Sequence, residues 1–148
     1  MAPIVESIEI SRRPEDVFSY VTDPLRLPEW QESVVNVRRE DSGPITVGSR
    51  VVVTRRVGRR KLAMTAELAE MNTPSSWAVR GVDGPVRGMV KGTVEPLGEG
   101  EHSRVSIALE FEAHGIGKLL VPLVVRRQAQ AEMPRNLRKL KQRLESGS

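Results

Sequence analysis

The sequence predicts an α+β domain in which one long C-terminal helix lies across a curved antiparallel sheet and leaves an apolar cavity beneath it. Three observations predict this. Short valine-rich segments recur between turn signals along residues 34–113. The apolar period then changes from two residues to between three and four over residues 116–144. Bulky fillers are scarce, with two Trp, two Phe and one Tyr, while glycines fall on the strands.

The elements follow in order. Residues 4–10 alternate, with Ile4, Ile8 and Ile10 in phase, and read as a first strand. Pro14 opens a helix at its first position, with Glu15 and Asp16 in the turn where the helix dipole favours acids. Val17, Phe18 and Val21 give it an apolar face. Asp23-Pro24 restarts a short helical turn that Pro28 is expected to end. Strands are expected at 34–39, 50–57, 62–72, 77–82, 86–94 and 105–113, parted by turns at Ser42-Gly43-Pro44, Val57-Gly58-Arg59, Asn72-Thr73-Pro74, Asp83-Gly84-Pro85 and residues 96–100. The final helix carries Leu120, Val124, Arg127, Ala131, Leu137, Leu140 and Leu144 at mostly three- and four-residue steps, with Pro134 inside it as an expected kink. Residues 145–148 read as a frayed tail, and one domain spans 1–146. Strand, two short helices, six strands and a long helix make a sheet segregated from its helices.

Side chains alternate across a strand, so parity sorts the faces. Val105, Ile107, Leu109, Phe111 and Ala113 must face the helix. So must Leu62, Met64, Ala66 and Leu68, then Trp77, Val79 and Gly81, then Gly88, Val90, Gly92 and Val94. Gly81, Gly88 and Gly92 put no side chain on that face; either the helix packs closely there or a space remains. Glu6, Arg55 and Glu70 also fall in the inward phase. A buried charge is costly unless paired, so each should pair, reach the rim or meet a ligand.

Composition narrows the chemistry. With 148 residues and no cysteine, the chain needs no staples and holds neither thiol nucleophile nor disulfide. The N-terminus lacks a signal pattern, and the longest apolar run, residues 119–125, is far short of the ~20 a membrane span needs. A cytoplasmic location is expected. His102 and His114 are the two histidines, with eleven residues between them along one strand, so they do not form a metal pair. No phosphate loop or dinucleotide fingerprint occurs, and no cofactor is expected. The basic cluster Arg55-Arg56-Val57-Gly58-Arg59-Arg60-Lys61 sits at a turn, with no aromatic between Trp30 and Trp77 to stack a base, so nucleic acid is not expected as a partner. Arg126, Arg135, Arg138, Lys139, Lys141 and Arg143 on the last helix could meet an anionic membrane surface transiently. Acid–base chemistry in the cavity would fall to Glu6, Glu70 or Tyr20.

One stretch carries a family resemblance. Residues 8–24, Ile-Glu-Ile-Ser-Arg-Arg-Pro-Glu-Asp-Val-Phe-Ser-Tyr-Val-Thr-Asp-Pro, running on to Pro28-Glu29-Trp30, resemble the opening of the polyketide cyclase/dehydrase group of the START/Bet v 1-like (SRPBCC) superfamily. Val47-Gly48-Ser49-Arg50 is similar to that group's approach to its third strand. Val94-Glu95-Pro96 followed by Ser103-Arg104-Val105 is similar to its sixth-to-seventh strand hairpin. The resemblance implies a helix-grip fold, with a curved seven-stranded sheet wrapped around the long helix and a pocket for lipids, polyketides, quinones or similar compounds. Arg13 stands where the family often has a small or hydroxyl residue, which leaves Asp16 to serve the first helix's exposed amides.

The expected function is binding or transport of a small hydrophobic or amphipathic molecule. Trp30, Arg55, Met64, Leu68, Trp77, Val79, Val94, Leu109, Phe111, Leu120 and Val124 are the expected lining, with Arg55 as a charged handle. An aromatase/cyclase-type enzyme using the same cavity is the alternative, and a basic interaction or regulatory protein is a second. Convergence of two or more acid–base side chains would favour the enzyme. Salt-sensitive affinity would favour the interaction protein.

Overall fold

The computed structural model describes residues 3–83, 86–113 and 121–146. Strand β1 (Ile4–Ile10) leads to helix α1 (Pro14–Val21), a 3₁₀ turn (Pro24–Arg26) and helix α2 (Leu27–Trp30). Six strands follow: β2 (Val34–Arg39), β3 (Arg50–Val57), β4 (Arg60–Asn72), β5 (Ser76–Gly81), β6 (Val86–Leu97) and β7 (His102–Ala113). Helix α3 (Val121–Ser146) closes the chain and runs through Pro134. All seven strands form one antiparallel sheet in the order β1-β7-β6-β5-β4-β3-β2. This is a START/Bet v 1-like, helix-grip fold. Among the described residues no helix is long and apolar enough to cross a membrane.

The topology places β1 and β2, neighbours in sequence, on opposite edges of the sheet. The segment between them therefore has to cross from edge to edge. Local sequence sets its path. Pro14 starts α1, whose Val17, Phe18 and Val21 are buried. Arg13 is the N-cap and makes no side-chain cap. Asp16 does not replace it, because its carboxylate accepts from the Arg12 guanidinium at 3.3 Å. The Asp23 carboxylate accepts from the Leu25 amide at 3.1 Å and caps the 3₁₀ turn. Pro28 does not end the helix. It sits in the first turn of α2, where its missing N–H costs nothing.

Parity holds across most of the sheet. Leu68, Val79, Val90, Leu109 and Ile4 form one transverse row over five strands. Met71, Trp77, Gly92, Ile107 and Glu6 form the next. Glu70 breaks the expectation. The register slips between Leu68 and Glu70, a bulge that turns Met71 inward to the core and Glu70 out to solvent.

Helix α3 is seated by Met133, Leu137, Leu140 and Leu144, all buried. Arg127 and Ala131 face solvent and Val124 is 52% exposed, contrary to the stripe expected for this half. Counting back from Leu137 by fours gives Met133, Ala129 and Val125, the phase the helix uses. The expected stripe slips at the six-residue step from Ala131 to Leu137. Residue 145 is not frayed. The Glu145 carboxylate accepts from the Ser11 amide and the Lys141 ammonium, both at 2.8 Å. Residues 147 and 148 lie outside the described residues.

The three inward glycines differ. A Cβ on Gly92 would overlap the Trp77 indole, which occupies that space and meets Phe18 edge-on at 6.0 Å. A Cβ on Gly88 would make ordinary contacts of 3.7 Å to Leu109 and 3.8 Å to Phe111. Gly92→Ala should therefore lower stability by about 1–3 kcal/mol through overpacking, while Gly88→Ala stays within about 0.5 kcal/mol. Urea unfolding of both variants checks this; equal midpoints would mean that Trp77 does not fill the Gly92 site.

Candidate functional site

Between α3 and the sheet lies a cavity of about 320 Å³. The middle of the sheet forms its apolar wall. Met64, Leu68, Val79, Val90, Leu109 and Phe111 line it, with Trp77 at one end. Gly81 and Gly88 line it too, and a Cβ on Gly81 would come within 3.3 Å of the Gly88 amide nitrogen. Gly88 leaves room on this wall, Gly81 allows the close approach of β6, and Trp77 fills the space at Gly92. Helices α1 and α2 and their connection close one end with Val21, Pro24, Leu27 and Trp30. Trp30 is buried, and its indole N–H has no hydrogen-bond partner among the described residues.

The fourth side is polar. Among the described residues, Arg55 on β3 and Glu132 on α3 are the two ionisable residues that line the cavity, with Ser33 between them. The Arg55 guanidinium donates to the Ser33 hydroxyl at 3.3 Å. Burial holds its pKa below the ordinary arginine value, countered in part by the charge of Glu132. Burial likewise pushes the Glu132 carboxyl above the ordinary glutamate range. Hydrogen bonding to Ser33 lowers it, the Glu32 charge raises it, and Arg55 and Gln128 lower it further. Gln128 also clasps the β3–β4 hairpin, accepting from the Gly58 amide at 3.0 Å and donating to the Arg56 carbonyl at 2.7 Å. Asn136, one turn beyond Glu132, accepts from the Glu32 amide at 3.1 Å.

Of the expected lining residues, Trp30, Arg55, Met64, Leu68, Trp77, Val79, Leu109 and Phe111 stand on the cavity wall. Val94 does not. It is 2% exposed, in the dry core with Val105 and Leu140, because its row lies beyond Trp77. Val124 points to solvent and Val125 takes its place. Leu120 and His114 lie outside the described residues. Glu6, Glu70 and Tyr20 do not converge on the cavity. Glu6 is on edge strand β1, Glu70 is turned outward, and the Tyr20 hydroxyl donates to Glu29 at 2.8 Å.

A family sequence profile described as polyketide cyclase/dehydrase and lipid transport matches residues 1–145. The chain belongs to this family. Solved structures agree on the fold. A START superfamily protein from Mycobacterium smegmatis superposes with a TM-score of 0.78 at 15% identity, covering 100% of both chains. The Zhui aromatase/cyclase from Streptomyces sp. R1128 gives 0.76 at 14%, covering 99% of this chain and 98% of that one. The protein TTHA0849 from Thermus thermophilus gives 0.80 at 19%, covering 99% of each. At these identities the likeness is one of fold. Among curated proteins, none matches the sequence.

Sequence reasoning missed Glu132 in this polyketide cyclase/dehydrase-type chain. A signal was present. Gln128, Glu132 and Asn136 repeat at four-residue spacing beside Val125, Ala129, Met133 and Leu137, a polar row alongside the apolar one. Glu132 also fixes the sign of a pH effect. Its carboxyl ionises less readily folded than unfolded, so its contribution favours the fold in acid and is lost as pH rises. The stability of Glu132→Gln relative to the parent should therefore grow between pH 4 and pH 8. Urea titrations of both proteins at the two pH values measure it, and an unchanged gap would contradict the assignment.

Proposed function

We propose that the protein binds or carries a small hydrophobic or amphipathic molecule, such as a lipid, polyketide or quinone, in the cavity beneath α3. The observation that supports this best is the cavity itself: about 320 Å³, walled mostly by apolar side chains, with Gly81 and Gly88 on its floor. That volume lies in the range of small-molecule sites. Apolar burial would supply most of the affinity, at roughly 25 cal/mol per Å², and Arg55 would orient a polar end. Membership of a family described by both cyclisation and lipid transport is consistent with this reading.

A second reading is an aromatase/cyclase-type enzyme. Glu132 favours it, as a partly desolvated carboxyl that holds its proton more tightly than an ordinary glutamate, beside the Arg55 guanidinium. The carrier reading stands first because the expected acid–base residues do not meet in the cavity, and Glu132 is the single carboxyl lining it among the described residues.

Gly88→Leu tests the site. The new side chain extends from the floor into the space, from a position where a Cβ is tolerated. Binding of the uncharged fluorescent probe N-phenyl-1-naphthylamine should weaken at least tenfold while the unfolding midpoint holds. Native mass spectrometry of protein from its own host should show an apolar compound in the parent and none in the variant. Probe binding unaffected by the substitution would place the site elsewhere.

A further inference from the structure

Arg55 and Glu132 are placed where a ligand's polar end would meet both. Arg55 projects from β3, next to the edge strand β2, and Glu132 faces the cavity from α3. Among the described residues Arg55 makes no ion pair. Its one hydrogen bond is the 3.3 Å contact to Ser33, which leaves most of a guanidinium's five N–H donors without a protein acceptor. Glu132 tempers the charge without closing on it. A half-buried guanidinium held in this way offers N–H donors to a planar oxyanion. The opposite end of the cavity has no such group. Val79 and Gly81 on β5, Gly88 and Val90 on β6, and Leu109 and Phe111 on β7 form it. From β3 to β6 is three strand spacings, roughly 14 Å. The cavity is therefore polarised, with one cationic end and one apolar end.

We propose that the cavity selects molecules with a carboxylate at one end and an apolar ring or chain at the other, and that seating the carboxylate on Arg55 loads a proton onto Glu132. The inference rests on the carrier reading and adds to it the ligand's charge and a role for Glu132. Where Glu132 is ionised before binding, its charge and that of Arg55 balance. An arriving carboxylate brings a second negative charge to the same guanidinium, and two carboxylates sharing one site cannot both remain ionised at ordinary proton affinity. Glu132 takes a proton from solvent, so one ligand anion and one proton enter together and the charge within the cavity stays balanced. The other groups around Glu132 do not relieve the repulsion. Glu32 adds negative charge, Arg135 attracts Glu132 but is bound chiefly to Glu32 at 3.1 Å, and Ser33 and Gln128 are neutral. Burial of the Glu132 carboxyl works in the same direction.

Isothermal titration calorimetry at pH 8 with 2-naphthoate and its uncharged methyl ester tests the proposal. Each titration is run in two buffers of different ionisation enthalpy, and N-phenyl-1-naphthylamine binding reports an intact cavity. The acid should bind at least tenfold more tightly than the ester, with net uptake of up to one proton; ester binding should take up none. Arg55→Gln should abolish the preference while the fluorescent probe still binds. Glu132→Gln should keep the preference and lose the proton uptake. If Arg55→Gln fails to fold, the double variant with Glu132→Gln removes both buried charges and should show the same loss of preference. Equal affinity for acid and ester in a parent that binds the probe overturns this inference and leaves the carrier reading standing. So does proton uptake that survives Glu132→Gln. A parent that binds neither naphthalene compound nor the probe removes both.

Discussion

The rest of the structure depends on how α3 is held. Its C-terminal half is seated dry, with Leu137, Leu140 and Leu144 buried against a core that includes Ile10, Phe18 and Val105. Polar contacts fix the same half. The Arg12 guanidinium donates to the Leu144 carbonyl at 2.7 Å, and the Lys141 ammonium to the Glu9 carbonyl at 2.8 Å. Further toward the N-terminus the clasp of Gln128 on the β3–β4 hairpin holds the helix. A helix fixed at these two places bridges the sheet between them, and the unfilled space lies under the span.

The residues of the sheet decide how large that space is and what it can hold. Close packing is the ordinary state of an interior, and dry voids wider than a water are few. Here Trp77 and Phe18 fill one side, and the Trp77 indole fits because residue 92 has no side chain. Gly81 packs closely against the backbone at Gly88, and both glycines line the remaining space. The result is an apolar chamber with a single charged wall. Arg55 and Glu132, both half-buried and not joined in an ion pair, would be costly to place here for stability alone. A ligand that uses the charge accounts for their position better than a structural role does.

Much of this was legible in the residues. Strand positions, the inward faces of β5, β6 and β7, and Trp77, Leu109 and Phe111 on the wall follow from alternation and turn chemistry. The failures have specific causes. Glu70 was misplaced because a bulge is one inserted residue, and parity cannot see an insertion that no glycine or proline marks. Val124 was misplaced because the apolar stripe of α3 is sparse before Met133, so a phase drawn from the N-terminal end drifted by one residue. Pro28 was read as a stop because a proline at the second position of a helix and one after its end look alike in sequence. Glu132 was missed because a carboxylate on a long basic helix reads as surface. Only its i, i+4 partners Gln128 and Asn136 show that the polar row turns inward, and that pattern gains meaning once the apolar phase is correct.

Every functional statement rests on open space between the sheet and its bridging helix. Diffraction from crystals pressurised with xenon tests that directly, because xenon enters dry apolar cavities of this kind. The account predicts xenon between α3 and the Gly81–Gly88 floor, near Val79, Val90 and Leu109. Finding no xenon there, with Ala129 and Met133 packed directly on those glycines, would contradict it.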